Sequence, residues 1–231
     1  MYRTDYRERI SHDLRVSAPV LPVAVASSTD PLAYAASKRL VDVLLAVGVL
    51  LALAPLYAFI AALVWLEDRG PIFYSQWRVG KGGRVFRFWK FRSMVVHADR
   101  LKAELAQDNE AEGPIFKMRS DPRVTRIGRV LRRYSLDELP QFWNVLRGDM
   151  SLVGPRPHLP SEVACYDEAH FLRLSVQPGL VCFREVTGRS NLSFERWMEL
   201  DLHYIRCRSL GTDLSILCRI LPAVLRGEGA Y

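Results

Sequence analysis

Two adjacent carboxylates, Asp137 and Glu138, lie in the part of the sequence that is densest in groups able to do chemistry. They follow Arg132 and Arg133 and precede Pro140. Because proline is tolerated in the first turn of a helix, Pro140 predicts that both carboxylates lie at or just before a helix start. Backbone N–H groups there can hold a phosphate. Paired carboxylates beside arginines also suit a divalent cation on a phosphorylated substrate, and such a carboxylate can attack phosphorus.

The same residues have a purely structural interpretation. Ser135 and Glu138 have the spacing of a capping box, in which each side chain bonds the backbone N–H of the other residue. Acidic side chains in a first turn also interact favourably with the helix dipole. Taken alone, the motif favours this structural role over a catalytic one.

The chain carries a formal net charge of +7, which favours a polyanionic partner such as nucleic acid, anionic lipid or a phosphorylated substrate. Seven basic residues against one acid lie between Lys117 and Arg133. No helix-turn-helix, zinc or RNA-binding signature accompanies them, so a nucleic-acid partner is not predicted. The glycine-rich loop at residues 80–83 lacks the spacing of a P-loop.

The four cysteines have no C-x-x-C or metal-ligand spacing, so we expect reduced, mostly buried thiols. They are Cys165, Cys182, Cys207 and Cys218. The first 30 residues contain no compact apolar core, and a signal peptide is therefore not predicted.

An uncharged stretch of 24 residues, 43–66, is long enough to cross a bilayer as a helix of about 36 Å. Pro55 near its middle predicts a broken helix. Lys38 and Arg39 precede the stretch and several basic residues follow it, so both ends favour the cytoplasmic face. A re-entrant helix broken at Pro55 satisfies both observations. A kinked helix that spans the membrane is the alternative that these residues leave open.

The sequence divides into a tail at residues 1–37, a re-entrant membrane helix at 38–70 and a cytoplasmic catalytic domain at 71–231. We expect a short helix at 6–16 in the tail, and a β-hairpin at 71–91 in which Phe86 and Phe88 alternate with Arg87 and Trp89. The predicted fold class is α+β, mainly helical, with a small sheet. Further helices are predicted at 94–105, 123–134, 139–146, 162–174, 194–207 and 213–225.

Several segments, in order, resemble one family. The bacterial sugar transferases, also called monotopic phosphoglycosyl transferases, are similar to this chain from about Lys38 to Leu225. The segments that carry the resemblance are residues 38–42, 71–80, 88–94, 126–141, 144–157, 177–180, 188–189 and 200–204.

The resemblance implies a re-entrant membrane helix and a covalent mechanism. Asp137 matches the nucleophile that attacks the β-phosphate of a nucleotide diphosphosugar, and Glu138 matches its partner acid, with Mg²⁺ bound to these two carboxylates. Arg184 and Glu185 depart from the family, which usually has Trp-Gln there; this puts the sugar specificity in doubt. The substrate-binding positions that the resemblance implies are Lys90, Arg132, Arg156 and Asp201.

The function expected from the resemblance is transfer of a sugar 1-phosphate from a UDP-sugar to undecaprenyl-type polyprenyl phosphate. This reaction would initiate exopolysaccharide or glycoconjugate synthesis on the cytoplasmic face of the bacterial inner membrane, with the lipid bilayer as a partner. A non-catalytic, basic membrane-surface scaffold of such a pathway is the alternative. The sugar and the pathway stay open. The oligomeric state stays open as well, with a homo-oligomer as one alternative.

Overall fold

The structure is a computed structural model of the chain, and it describes residues 30–110, 113–116, 118, 120–187 and 192–226. The helix predicted at residues 6–16 lies outside this part. Helices account for 58% of the structure and the sheets are small. The predicted α+β, mainly helical class is therefore confirmed.

Two apolar helices open the described part of the chain: α1 spans Leu32–Ala52 and α2 spans Ala54–Asp68. They meet at Leu53, whose φ of −95° and ψ of 7° interrupt the helix, and the pair is bent by 62°. Pro55 lies in the first turn of α2, where its missing N–H leaves one backbone bond across the break unmade. The break thus precedes Pro55 by two residues, and residues 32–37, predicted as tail, are helical.

Within the described residues, α1 and α2 are each too short or too polar to cross a bilayer alone, whereas the bent pair together has the length and composition to do so. Large apolar side chains on both helices are exposed, including Leu44 (62%), Leu51 (73%) and Phe59 (60%). Exposed apolar surface of this extent is typical of a region that an apolar partner or phase covers. The predicted bend is confirmed, and its insertion into a membrane stays a prediction.

Strands β1 (Phe73–Val79) and β2 (Val85–Phe91) form the predicted antiparallel hairpin. Phe86 and Phe88 are 6% and 2% exposed, while Arg87 between them is exposed, as the alternation predicts. Because side chains alternate along a strand, Lys90 lies on the same face as the two phenylalanines.

The remaining helices of the described chain are mostly short. They are α3 Ala98–Glu104, α4 Arg126–Arg133, α5 Gln141–Arg147, α6 Pro160–Val163, α7 Phe183–Thr187, α8 Phe194–Cys207 and α9 Leu210–Arg226. The Thr125 side chain caps α4 by accepting a hydrogen bond from the Gly128 N–H, and Ser193 caps α8 in the same way.

The prediction of one helix over residues 162–174 is wrong. α6 ends at Val163, and a 3₁₀ turn at His170–Ser175 takes the place of the second half. This turn directs Arg173 into a buried ion pair with Asp201, a tertiary contact that outweighs the local helical pattern. A parallel strand pair, β3 Ser151–Val153 and β4 Gly179–Val181, was not predicted, because strands of three residues show no alternation.

One apolar core joins α1, the hairpin, β3 and the two C-terminal helices. Its members include Ala46, Phe88, Val153, Tyr204 and Ile216, each at most 2% exposed. Through Ala46 the core extends into α1, so the apolar helix pair and the rest of the chain share packing.

Polar contacts also fix the helix pair to the remainder of the chain. Lys38 on α1 forms an ion pair of 2.7 Å with Asp213 on α9, and Asp42 accepts a hydrogen bond from a backbone N–H of β3. Asp68, the last residue of α2, accepts two hydrogen bonds of 2.5 Å from the Arg92 guanidinium. Each end of the helix pair is therefore tied to the domain that carries the candidate site.

Candidate active site

The backbone that carries Asp137 and Glu138 turns sharply between α4 and α5. Ser135 adopts the left-handed conformation, with φ 55° and ψ 21°, which costs free energy in any residue with a side chain. A 3₁₀ turn at Leu136–Glu138 follows and leads into α5. Both carboxylates thus lie just before a helix start, as Pro140 predicts.

The capping-box interpretation of this motif is wrong. The Ser135 side chain makes no capping hydrogen bond. The Glu138 carboxylate is directed instead at Lys90 and Arg156. The acidic pair therefore belongs to a tertiary cluster of charges, and the local structural role does not account for it.

Lys90 on β2 bridges the two carboxylates. Its Nζ lies 3.2 Å from Asp137 Oδ2 and 2.8 Å from Glu138 Oε1. The side chains of Asp137 and Glu138 are 6% and 19% exposed, so these charges interact through a medium that screens them less than water does.

Arg156, in the loop after β3, holds both oxygens of Glu138. One guanidinium nitrogen lies 3.1 Å from Oε2, and a second donates to Oε1. Burial alone would raise the pKa of Glu138, but the charges of Arg156 and Lys90 and their hydrogen bonds lower this pKa well below its usual range. Glu138 is therefore ionised at neutral pH and anchors both cations.

The four side chains form an electrically balanced cluster of two carboxylates and two cations. Asp137 Oδ1 accepts no hydrogen bond from any residue that the structure describes, whereas Oδ2 accepts one from Lys90. The cluster leaves one carboxylate oxygen of Asp137 uncommitted, which is what a nucleophile or a metal ligand requires.

The aromatic ring of Phe88 lies beneath this cluster. Lys90 Nζ is 5.8 Å from the ring centroid, and the guanidinium carbons of Arg156 and Arg78 are 5.7 and 5.4 Å from it. Cations at such distances from an aromatic face are attracted by its quadrupole. Arg78, which also lies 3.6 Å from Glu162, is a neighbour of the site that the sequence analysis did not single out.

Asp201, predicted to bind substrate, is fully buried, and its hydrogen bonds are to Arg173 and not to the residues of the charged cluster. Its Oδ2 accepts hydrogen bonds of 2.9 and 2.6 Å from Arg173, and Arg173 in turn donates to the backbone carbonyl of Arg156. Burial raises the pKa of Asp201 to about 6 although Arg173 opposes this. The structure thus places Asp201 behind the site, where it supports the Arg156 loop through Arg173.

Arg132, another predicted substrate-binding residue, lies in the last turn of α4. Its side chain is half-buried, and it forms no hydrogen bond or ion pair with the part of the chain that the structure describes. Its role in substrate binding stays a prediction.

Arg184 and Glu185, which depart from the family pattern, pair with each other at 3.1 Å. The Arg184 guanidinium also stacks on the Trp197 ring at 4.2 Å, and Glu185 accepts hydrogen bonds from the backbone and the thiol of Cys182. Both residues are therefore held by neighbours in this structure.

The prediction of mostly buried thiols is wrong. Cys182 is buried, but Cys165 and Cys218 are exposed.

The carboxylates of Asp137 and Glu138 suit Mg²⁺ as part of its ligand set. The described residues contain no group of three His, Cys, Asp or Glu side chains arranged around a metal site. Mg²⁺ is commonly bound by one or two carboxylates together with substrate phosphates and waters. Asp137 has an uncommitted oxygen for this purpose, whereas both oxygens of Glu138 already accept hydrogen bonds. The binding of Mg²⁺ at this pair stays a prediction.

A family model described as bacterial sugar transferase matches residues 33–227. The chain belongs to the bacterial sugar transferase family. The match covers both apolar helices, the hairpin and all four members of the charged cluster. The family membership inferred from the sequence is therefore confirmed.

Three curated proteins illustrate what this chain is similar to. An exopolysaccharide production protein of Sinorhizobium fredii is 42% identical, over 84% of this chain and 88% of its own length. A UDP-galactose-lipid carrier transferase of Erwinia amylovora is 36% identical, over 100% of this chain and 48% of its own. An undecaprenyl-phosphate glucose phosphotransferase of Komagataeibacter xylinus is 42% identical, over 84% and 37%. The chain thus spans about half or less of the length of the Erwinia and Komagataeibacter proteins.

Proposed function

We propose that this bacterial sugar transferase moves a sugar 1-phosphate from a UDP-sugar to undecaprenyl-type polyprenyl phosphate through a covalent Asp137 intermediate. The observation that supports the proposal most strongly is the cluster in which Lys90 and Arg156 hold Asp137 and Glu138 while one Asp137 oxygen stays uncommitted. The names of relatives, which mention a UDP-sugar, a lipid carrier and undecaprenyl phosphate, support the substrate classes.

The reaction has two displacements at phosphorus. In the first, a carboxylate oxygen of Asp137 attacks the β-phosphorus, the bond from that phosphorus to the bridging oxygen breaks, and its electron pair leaves with UMP. The product is an acyl phosphate that carries the sugar. In the second, a phosphate oxygen of the polyprenyl phosphate attacks the same phosphorus, and the Asp137 carboxylate is regenerated.

The residues around Asp137 supply charge and orientation. Lys90 and Arg156 face the reacting phosphoryl group and stabilise the negative charge that develops on it, while ionised Glu138 holds both cations in place. Arg132 forms no hydrogen bond or ion pair with the described residues and can contact the diphosphate. When bound, Mg²⁺ neutralises phosphate oxygens that would otherwise repel the carboxylates.

The bent pair α1–α2 accounts for access to a lipid acceptor. Its exposed apolar side chains would lie in the bilayer, and its ends are tied by Lys38 and Asp68 to the domain that carries the carboxylates. A pair that enters and leaves by the same face would hold the site at the cytoplasmic surface of the inner membrane, where the phosphate end of the acceptor is found. Exopolysaccharide synthesis is the process that the Sinorhizobium relative names.

Nucleotide release tests the proposal. The purified chain in lipid discs is given Mg²⁺, undecaprenyl phosphate and a panel of UDP-sugars, since relatives are named for both galactose and glucose. We expect UMP release with at least one sugar, its loss in Asp137→Asn, and normal release by the control Asp167→Asn, whose side chain is 64% exposed. No release with any sugar from folded protein would favour the non-catalytic scaffold.

A further inference from the structure

Tyr57, in the first turn of α2, joins the apolar helix pair to the turn that carries the two carboxylates. Its hydroxyl donates a hydrogen bond to the backbone carbonyl of Leu139, the residue directly after Glu138. Tyr57 is half-buried, and its ring centroid lies 5.5 Å from that of Phe91, the last residue of β2. Ring packing and the hydrogen bond therefore hold the side chain in one place.

The Leu139 carbonyl can accept this bond because α5 begins with a tight turn. Phe142 N donates to Leu139 O at 3.1 Å, and Trp143 N donates to Pro140 O at 3.1 Å. In a regular α-helix Trp143 N would instead bond Leu139 O, four residues earlier. A carbonyl oxygen has two lone pairs, so the Tyr57 hydroxyl takes the acceptor site that this turn leaves open.

Apolar contacts join the same two parts of the chain. Leu136 and Leu139 lie on either side of the carboxylate pair in the sequence. Both pack in one apolar cluster with residues of α2, among them Ile60 and Val64, each 2% exposed. The carboxylate turn thus rests on α2 at both of its ends, and Tyr57 adds the polar contact between the two elements.

The backbone of Tyr57 is fixed at the break between α1 and α2. Its N–H donates to the carbonyl of Leu53, the residue at the break, at 2.9 Å. The bend of 62° between the two helices sets the direction in which α2 leaves this point. The same bend therefore sets where the Tyr57 hydroxyl meets the carboxylate turn.

We infer that Tyr57 is a positioning residue for Asp137, and that it acts by fixing the Leu139 carbonyl and with it the carboxylate turn. This inference rests on the proposed function. Attack on the β-phosphorus needs an Asp137 oxygen in line with the bond that breaks, and a small displacement of the attacking group lowers the rate steeply. Tyr57 itself touches no substrate, and its bond leaves the oxygens of Asp137 unoccupied.

Two tyrosines that tie the helix pair to the rest of the chain provide the test. Tyr57→Phe removes only the hydroxyl that reaches Leu139. Tyr34→Phe is the matched control, because the Tyr34 hydroxyl on α1 donates at 3.1 Å to Asp213 on α9, which is not a member of the charged cluster. A hydrogen bond to a charged group stabilises a fold more than one to a carbonyl, so the control should lose at least as much stability.

The full chain in lipid discs is assayed for UMP release, for the rate at which it acquires a sugar phosphate without the acceptor, and for thermal unfolding. We expect Tyr57→Phe to lower kcat and this rate by about 10-fold, because the turn is less firmly held. The donor KM should change by less than about twofold, since no contact with the donor is lost. Tyr34→Phe should keep kcat within about twofold although its melting temperature falls at least as far.

Unchanged kcat in Tyr57→Phe would overturn the inference. An equal loss of kcat in Tyr34→Phe would do so as well, because the rate would then follow the stability of the fold and not the position of the turn. Absence of turnover in the unaltered chain would instead overturn the proposed function on which the inference rests, so the two failures are distinguishable.

Discussion

Glu138 illustrates how single residues in this site depend on their neighbours' charges. Its acidic side chain lies between two cations, and the resemblance identified all three residues before their contacts were known. The contacts of Arg173 could not be predicted in this way. Its partner Asp201 is 28 residues away in the sequence, and no local pattern indicates which distant charges will meet.

The lowered pKa of Glu138 predicts a pH dependence of stability. Because its pKa is lower in the folded chain than the usual 4.5, its contribution is fully present above about pH 4.5 and is lost as the pH falls toward the lowered value. Glu138→Gln should therefore lower the melting temperature at pH 7 and flatten its decline between about pH 5 and 3. Thermal unfolding in detergent at several pH values checks this. Parallel curves for the two proteins would contradict it.

Asp201 predicts a large loss of stability on substitution. Asp201→Asn leaves Arg173 buried without a counter-charge, which typically costs about 3–5 kcal/mol. The exposed pair of Arg196 and Glu199 provides the control, since Glu199→Gln should change the free energy of unfolding by less than about 1 kcal/mol. Denaturant titration of both variants measures the difference. Equal changes in the free energy of unfolding would show that the pair of Arg173 and Asp201 does not support the Arg156 loop.

At the scale of elements, the strength of the local pattern decided what could be predicted. The hairpin and α8 were predicted well, because alternation over seven residues and helical spacing over fourteen residues are strong signals. The β3–β4 pair was missed, since each strand has three residues and its partner lies far along the chain. The break before α2 was predicted from Pro55 within two residues.

Because α4 packs closely on the chain after β2, we expect Gly128 not to tolerate a residue with a side chain. A Cβ there would lie 2.0 Å from the Ser93 carbonyl oxygen, so backbone must move. We expect Gly128→Ala to destabilise the fold by about 3 kcal/mol and to displace the helix that leads into the carboxylate turn. Gly211→Ala is the control, because only Ser209 Oγ lies within 4 Å and alanine favours its helix. Denaturant unfolding of both variants decides whether the close approach exists.

At the scale of the whole molecule, the bent helix pair determines how the site meets a membrane. We expect both ends of the pair to lie on the cytoplasmic side. Ser37→Cys and Arg69→Cys, each in a background with the four native cysteines replaced by alanine, would be labelled with a membrane-impermeant maleimide. We expect labelling of both only in inside-out vesicles. Labelling of the two from opposite sides would show a spanning helix.

Intact-mass spectrometry of the protein tests whether Asp137 forms the covalent intermediate. The chain in lipid discs is mixed with Mg²⁺ and a UDP-sugar that supports turnover, in the absence of polyprenyl phosphate. We expect a mass increase of one sugar phosphate, at most one equivalent of UMP per chain, loss of both in Asp137→Asn, and discharge of the adduct when the acceptor is added. UMP release that requires the acceptor, with no adduct at any time, would contradict it.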